Sequence, residues 1–500
     1  MATTADSLYV MQKRITNERT ANSPIRRVTV SSAGRQAAAE SCMEKKMKKA
    51  SLLTIFLIVF IDLVGFGIVL PNLQLYGQQY GISNYFYLTL IGATYSFFQF
   101  IFAPVLGKWS DRIGRRPVLL ISQLGTLAGF LILFAANAFR GQALGIVLIF
   151  LSRMIDGISG GNIATANAYI ADITTPENRA KGMGAIGAAF GLGFVCGPII
   201  GAGVSKFAGL QYVPLAASIF TVAALLMTWF TLPESRVPNA AKNDAAARRF
   251  SFAGLQHALT RPIIGPLILL FFVNGFAFAG MEQTLSLLIQ NRLYPMQPVA
   301  ASVTGHAATN GPAGVFSNLP QAVAFRKKQD SRASEASGLL FGAIGVMIVL
   351  IQGGMIGRLT KKYGELKLAI TGPIIISAGL VLIGLPVHWA WKWTGFLSGG
   401  LLLAIGSGIF NPAMQSLISR HCSADEQGEV LGANQGMASL ARCAGPILAG
   451  LLFEYLFPAS PYYISAALCL AVTLMVILNR AKFKLPAPGV AEPQVSTQAR

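Results

Sequence analysis

Gly107-Lys108-Trp109-Ser110-Asp111-Arg112-Ile113-Gly114-Arg115-Arg116 lies between two long apolar runs, and its pattern returns as Gly357-Arg358-Leu359-Thr360-Lys361-Lys362-Tyr363-Gly364-Glu365-Leu366-Lys367. The offset is 250 for both glycines (357 − 107 and 364 − 114). Farther on, Gly197-Pro198-Ile199-Ile200 returns as Gly445-Pro446-Ile447-Leu448, and Gly184-Ala185 as Gly432-Ala433, both at an offset of 248 (445 − 197). Self-similarity at a fixed period marks a duplicated architecture. The chain reads as two homologous halves.

The residues around these motifs are apolar in runs of about twenty, the length a helix needs to cross a hydrocarbon layer of roughly 30 Å. Twelve such runs are present: 51–70, 86–106, 117–137, 143–172, 182–205, 211–232, 263–291, 337–358, 367–388, 393–419, 427–456 and 460–481. Backbone polar groups have no water partners at that depth, so the runs must be helices. The alternation of a membrane β-barrel is absent. Only 12% of the 500 residues are charged and mean hydropathy is +0.55, too little polar surface for a soluble chain. The expected fold is an all-α membrane protein, twelve transmembrane helices in two homologous six-helix bundles at 51–232 and 263–482. A tail at 1–50, a central loop at 233–262 and a tail at 483–500 complete the chain.

The formal charge is +20, but its distribution excludes nucleic acid as the partner. About 30 of the 40 Lys and Arg fall in the N-terminal tail, the even-to-odd loops and the C-terminal tail. That asymmetry places both termini in the cytoplasm of a cell membrane, plasma or bacterial inner. Nucleic-acid binding calls for a basic soluble module, and none is present. The five cysteines avoid the predicted external loops, so no disulfide is expected. HExxH, CxxC and GxxxxGK[ST] patterns are all missing, and with them the case for an enzyme, a resident metal or a cofactor. Residues 1–42 read as a tail, a transit peptide or a start upstream of Met43 or Met47. The stretch 295–335, rich in Ala, Pro, Ser and Gly, reads as an external, disordered insertion.

The repeat and its loop motif resemble the major facilitator superfamily over about residues 44–482. Three stretches are similar to the drug:proton antiporters within it, including the tetracycline-resistance exporters. They are Ile61-Asp62-Leu63-Val64-Gly65-Phe66-Gly67-Ile68-Val69-Leu70-Pro71, Tyr169-Ile170-Ala171-Asp172-Ile173-Thr174-Thr175-Pro176-Glu177-Asn178-Arg179 and Gly187-Ala188-Ala189-Phe190-Gly191-Leu192-Gly193-Phe194-Val195-Cys196-Gly197-Pro198. The resemblance implies a monomer that moves a small-molecule substrate between its two halves, with export in exchange for protons. Uptake or facilitated passage of a metabolite such as a sugar or organic acid is the alternative. A membrane-embedded enzyme or receptor on the same fold is the third reading.

The resemblance also implies roles. Gly107, Asp111, Gly114, Arg115 and Arg116 would form a latch between the halves, where the plainer reading is charges that anchor topology or bind lipid phosphates. Gly193, Gly197 and Gly201 share one helix face beside Pro198, which suits either close packing or a functional bend. An ionisable side chain costs about 2.5–3.5 kcal/mol at mid-membrane on insertion scales, so those inside spans should face a cavity or a partner. These are Asp62, Arg153, Asp156, Glu282 and Arg442. Asp62 stands where tetracycline-type exporters require an acid, and Arg153 in a motif linked to proton coupling. Asp156 neutralises Arg153 or joins it in that task. Glu282 is a second proton carrier or the site of a cationic substrate, and Arg442 is its partner or a structural pair for Glu454 or a carbonyl. Tyr95, Phe98, Asn162, Asn411 and Gln415 complete the expected substrate cavity, although amides bond neighbouring helices equally well.

Overall fold

The computed structural model describes residues 52–174, 176–235, 252–294, 320–385, 392–422, 427–481 and 483. Twelve helices among them are long and apolar enough to cross a membrane. In the first half they are α1 (Leu52–Gln78), α2 (Tyr85–Ile113), α3 (Arg115–Phe139), α4 (Ala143–Ile173), α5 (Ile186–Phe207) and α6 (Leu210–Thr231). In the second they are α7 (Ile264–Leu293), α8 (Lys328–Tyr363), α9 (Glu365–Gly384), α10 (Trp393–Arg420), α11 (Ala433–Tyr455) and α12 (Ser460–Leu478). Successive spans alternate in direction. Gly114, Thr174, Leu232 and Gly364 fall on one side, here the motif side, and Gly81, Gly141, Gly209 and Tyr294 on the far side. The expectations for residues 1–50, 236–251, 295–319 and 484–500 lie outside the described residues.

The largest departures from the sequence reading are at the end of α1 and the start of α8. The first span does not stop at Leu70 but passes through a 3-10 turn at Leu70–Asn72 and continues as Leu73–Gln78. Asn72, Gln74 and Gln78 lower the hydropathy there, yet all three are buried. The helix of α8 starts at Pro320, well inside the stretch read as an insertion. Lys328, Arg332 and Glu335 interrupt its apolar pattern, but Asp330, Ser334 and Ser337 between them are buried. An external insertion of 295–335 is therefore corrected: from residue 320 it is the first part of the eighth helix.

Three helices carry local defects. α4 breaks at Gly160–Gly161 into Ala143–Ser159 and Asn162–Ile173, and there α2 crosses it too closely for a side chain. A Cβ on Gly161 would sit 2.6 Å from Leu106 Cδ1. α8 contains a π turn at Ile351–Met355. Two glycines in it, Gly353 and Gly354, are exposed with nothing within 4 Å of where a Cβ would be. The matching place in α2 is Pro104, inside the helix at the same offset of 250 (354 − 104).

Glycine seams bring the helices together. α5 presses against α1, where a Cβ on Gly197 would lie 2.6 Å from Gly67 Cα. It also presses against α8 of the other half, where a Cβ on Gly338 would lie 2.6 Å from the Pro198 carbonyl oxygen. The second half repeats the α1–α5 seam as α7–α11, with Gly445 against Phe276 and Gly280. Small residues allow such approach where lipid supplies no hydrophobic drive between helices.

The two halves are tied on the far side. Gln74 bonds Gln283, and Ser334 bonds Asn72. Ser286 donates to the Pro71 carbonyl at 2.6 Å, Gln79 to Asp330 at 3.2 Å and Ser331 to the Ser205 carbonyl at 3.0 Å. Lys206 pairs with Glu335 at 2.6 Å, and the Tyr85 N–H at the start of α2 donates to Glu454 at 2.7 Å. Interhelical hydrogen bonds in membrane proteins average about 0.6 kcal/mol, so a set of this size holds the far side shut by only a few kcal/mol. Such a closure is reversible.

Candidate functional site

Below those ties lies a cavity of about 270 Å³ between the halves. α1 brings Asp62 to its wall among Leu63, Phe66 and Val69, and the break in α4 brings Asn162 beside it. The Asn162 amide donates to one Asp62 oxygen, while the other oxygen is buried with no hydrogen-bond partner. Asp62 is 9% exposed. Also on α4, Arg153 and Asp156 form an ion pair of 3.1 Å, each 2% exposed. The Arg153 guanidinium lies 5.5 Å from the centroid of Phe130, leaving one of its nitrogens without a hydrogen bond. The pair compensates itself.

The second half supplies Glu282 from α7 and Arg442 from α11. Glu282 is 8% exposed, and one of its oxygens has no hydrogen-bond partner. Arg442 acts on it electrostatically, yet the two do not close into an ion pair; Arg442 donates to Ser439 at 3.0 Å. Glu454 caps α2, so it is not the partner of Arg442. Aromatic rings fill the walls between: Phe66 and Tyr95 sit 5.2 Å apart, and Phe271 and Phe278 face them from α7.

Of the residues expected at the cavity, Asp62, Tyr95, Arg153, Asp156, Asn162, Glu282 and Asn411 line it, as does Arg442. Phe98 and Gln415 do not, which corrects the reading of both. The cavity face of α2 runs through Gly92, Tyr95, Ser96 and Gln99, and Phe98 falls to one side of it, in a row with Phe97 and Phe102. Gln415 is exposed, one turn beyond Asn411 toward the motif side. The sequence reading missed Gln283, which closes the cavity on the far side, and Asn274, buried in its wall. Both were hidden among ordinary amides. Gln283 stands beside Glu282, which is the signal that a paired reading of the two halves would have used.

The loop motif builds a second polar cluster, on the motif side. Gly114, at φ +105°, turns the chain from α2 into α3. Arg115 then pairs with Asp111 at 2.8 Å and Asp172 at 3.0 Å and donates to Ser110 at 2.6 Å. Glu234, after α6, accepts the Arg115 and Arg116 backbone N–H groups at 2.9 and 3.0 Å. Arg116 also reaches the Trp229 carbonyl. Gly107 has open space around it. Glu234 escaped the sequence reading because its partners lie more than a hundred residues away in the chain.

The family model described as Major Facilitator Superfamily matches residues 55–352 and 313–498. The mouse Major facilitator superfamily domain-containing protein 10 is 26% identical over 488 residues, covering 87% of this chain and 93% of that protein. The Tetracycline resistance protein, class C, of Escherichia coli is 29% identical over 407 residues, covering 81% and 89%. Among solved structures, the human organic anion transporter MFSD10 (TETRAN) aligns with a TM-score of 0.58 at 25% identity, covering 86% of this chain and 99% of that one.

Proposed function

This chain belongs to the major facilitator superfamily, and from that premise we propose that it is a proton-coupled exporter of small amphipathic compounds. The observation that carries the reading is Asp62. It is a carboxylate in the wall of a cavity between two halves, held by one amide and otherwise unpaired. A proton antiporter needs a group that holds a proton in one access state and yields it in the other, and a carboxylate reached by the cavity can do this. The bonded far side suits a state open toward the motif side, which the positive-inside rule puts in the cytoplasm. Rocking one bundle against the other would exchange the ties and turn the cavity outward. Asp111 and the arginines beside it would act on that exchange rather than on substrate.

Organic anions are the second reading. Arg442 on the cavity wall favours it, as does the likeness to a solved structure described as an organic anion transporter. Both readings are tested in sealed vesicles of purified protein under an imposed pH gradient. Antiport drives a fluorescent amphipathic compound into the more acidic compartment, and a protonophore stops it. Compound that moves with the protons, or ignores the gradient, overturns the proposal.

A further inference from the structure

Resting on the transport reading, we infer that Glu282 and Arg442 form a clamp for zwitterions, selecting substrates that carry a cationic and an anionic group on one aromatic body. The argument begins with what each charge in the cavity already has. Arg153 and Asp156 are closed on each other at 3.1 Å and have little to offer a ligand. Asp62 has the Asn162 amide and no cation in contact, which suits a proton site. That leaves Glu282 and Arg442, two opposite charges on neighbouring helices α7 and α11 of one half.

Those helices pack closely at the Gly280–Gly445 seam, so the two side chains start from backbones held side by side. They influence each other electrostatically without meeting. Arg442 spends one hydrogen bond on Ser439 of its own helix, and Glu282 keeps a buried oxygen with none. Burying a charge without a partner is costly, so an open pair in an apolar cavity gains from a ligand that brings both complements. A lone cation satisfies Glu282 and leaves Arg442 facing a like charge; a lone anion does the reverse. Only a zwitterion satisfies both. Phe66, Tyr95, Phe271 and Phe278 offer ring faces for its apolar body.

The test uses three probes built on one dansyl core, bearing an ammonium group, a carboxylate or both, each measured for binding and for flux in vesicles. The zwitterion is expected to bind about tenfold more tightly than either single-charge probe. Arg442→Gln should erase its advantage over the cation while cation binding persists. Glu282→Gln should erase its advantage over the anion while anion binding persists. The retained binding in each variant reports a folded protein. Equal binding of the zwitterion and either single-charge probe overturns the clamp. So does a preference that survives both substitutions. Should gradient-driven flux of any probe continue in that case, the transport reading stands without the clamp; flux of none of them removes both.

Discussion

Arg115 and Glu365 hold equivalent places, 250 residues apart (365 − 115), and carry opposite charges. Each is the first residue of a helix and follows a glycine with positive φ, Gly114 at +105° and Gly364 at +77°. Each reaches the end of the next span. Arg115 meets Asp172 at 3.0 Å, and Glu365 meets Arg420 at 2.7 Å. Asp172 and Arg420 are themselves 248 apart (420 − 172), the offset of the glycine-proline repeat. One bridge has been built twice with its polarity reversed.

The helix dipole makes the two versions unequal. Helix N-termini favour negative charge and C-termini positive charge, typically by 0.3–1 kcal/mol at exposed sites. Glu365 at a helix start and Arg420 at a helix end both sit well. Arg115 at a helix start and Asp172 near a helix end both sit badly. The first half answers with more residues: Asp111 and Ser110 on the Arg115 side chain, Ser235 on Asp172, and the Glu234 carboxylate on the first two N–H groups of α3. Duplication kept the geometry and left the electrostatics to local repair. The N-terminal network is interdependent, whereas among the described residues the C-terminal pair adds only Ser416, which donates to Glu365 at 3.3 Å.

The cavity shows the same division of labour, and the largest expected effect lies there. Asp62→Asn keeps size and the Asn162 neighbour while removing titration. Gradient-driven export in vesicles should fall to the level of passive leak, with substrate binding retained. An Asp62→Asn protein that still concentrates substrate as the parent does would move proton exchange to another acid, Glu282 first. Next in size, Asp111→Ala removes a partner of Arg115, and if the cluster acts on state exchange as proposed, turnover should fall about tenfold with binding little changed. Equal loss of binding would make Asp111 a structural residue only.

Smaller effects test the polarity argument itself. Glu234→Gln removes the carboxylate at the start of α3, and an exposed interaction of this kind is worth about 1 kcal/mol. Its apparent melting temperature in detergent should drop more than that of Glu365→Gln. The reverse order would break the comparison. The finest test converts one half to the other's polarity. In an Arg115→Glu, Asp172→Arg double variant, adding Glu234→Gln should cost less stability than it does in the parent protein. A cost as large as in the parent means that Glu234 serves something other than the badly placed arginines.

Much of this was legible in the sequence, and the reasons for the rest are physical. Twelve runs and a 250-residue repeat are one-dimensional signals, because crossing lipid demands about twenty apolar residues whatever the neighbours. The ends of α1 and α8 were not legible. Gln74, Asn72, Asp330 and Ser334 look like loop residues until the opposite half supplies their hydrogen bonds. The intramembrane charges announced the cavity, since nothing else explains their presence there. Phe98 was misplaced although Ser96 and Gln99 mark the inward row beside it, and Gln415 because an amide on a helix does not say which way it faces. Glu234 depends on a contact between α3 and the chain after α6, which no local pattern records.

The π turn of α8 bears on stiffness. Glycine in a helix is commonly a concession to a crowded neighbour, as at the Gly67–Gly197 crossing. At Gly353 and Gly354 no neighbour asks for it, since alanine would fit both positions. Each glycine still costs the helix about 1 kcal/mol against alanine. What the chain obtains is compliance: a shaft weakened at one place, packed at Ile351 on one side and open at Gly353 and Gly354 on the other. Pro104 weakens α2 at the matching level by a different chemistry, through a missing hydrogen bond. Both loop motifs thus follow a softened stretch of helix, and what holds them in place is the polar network at their own ends.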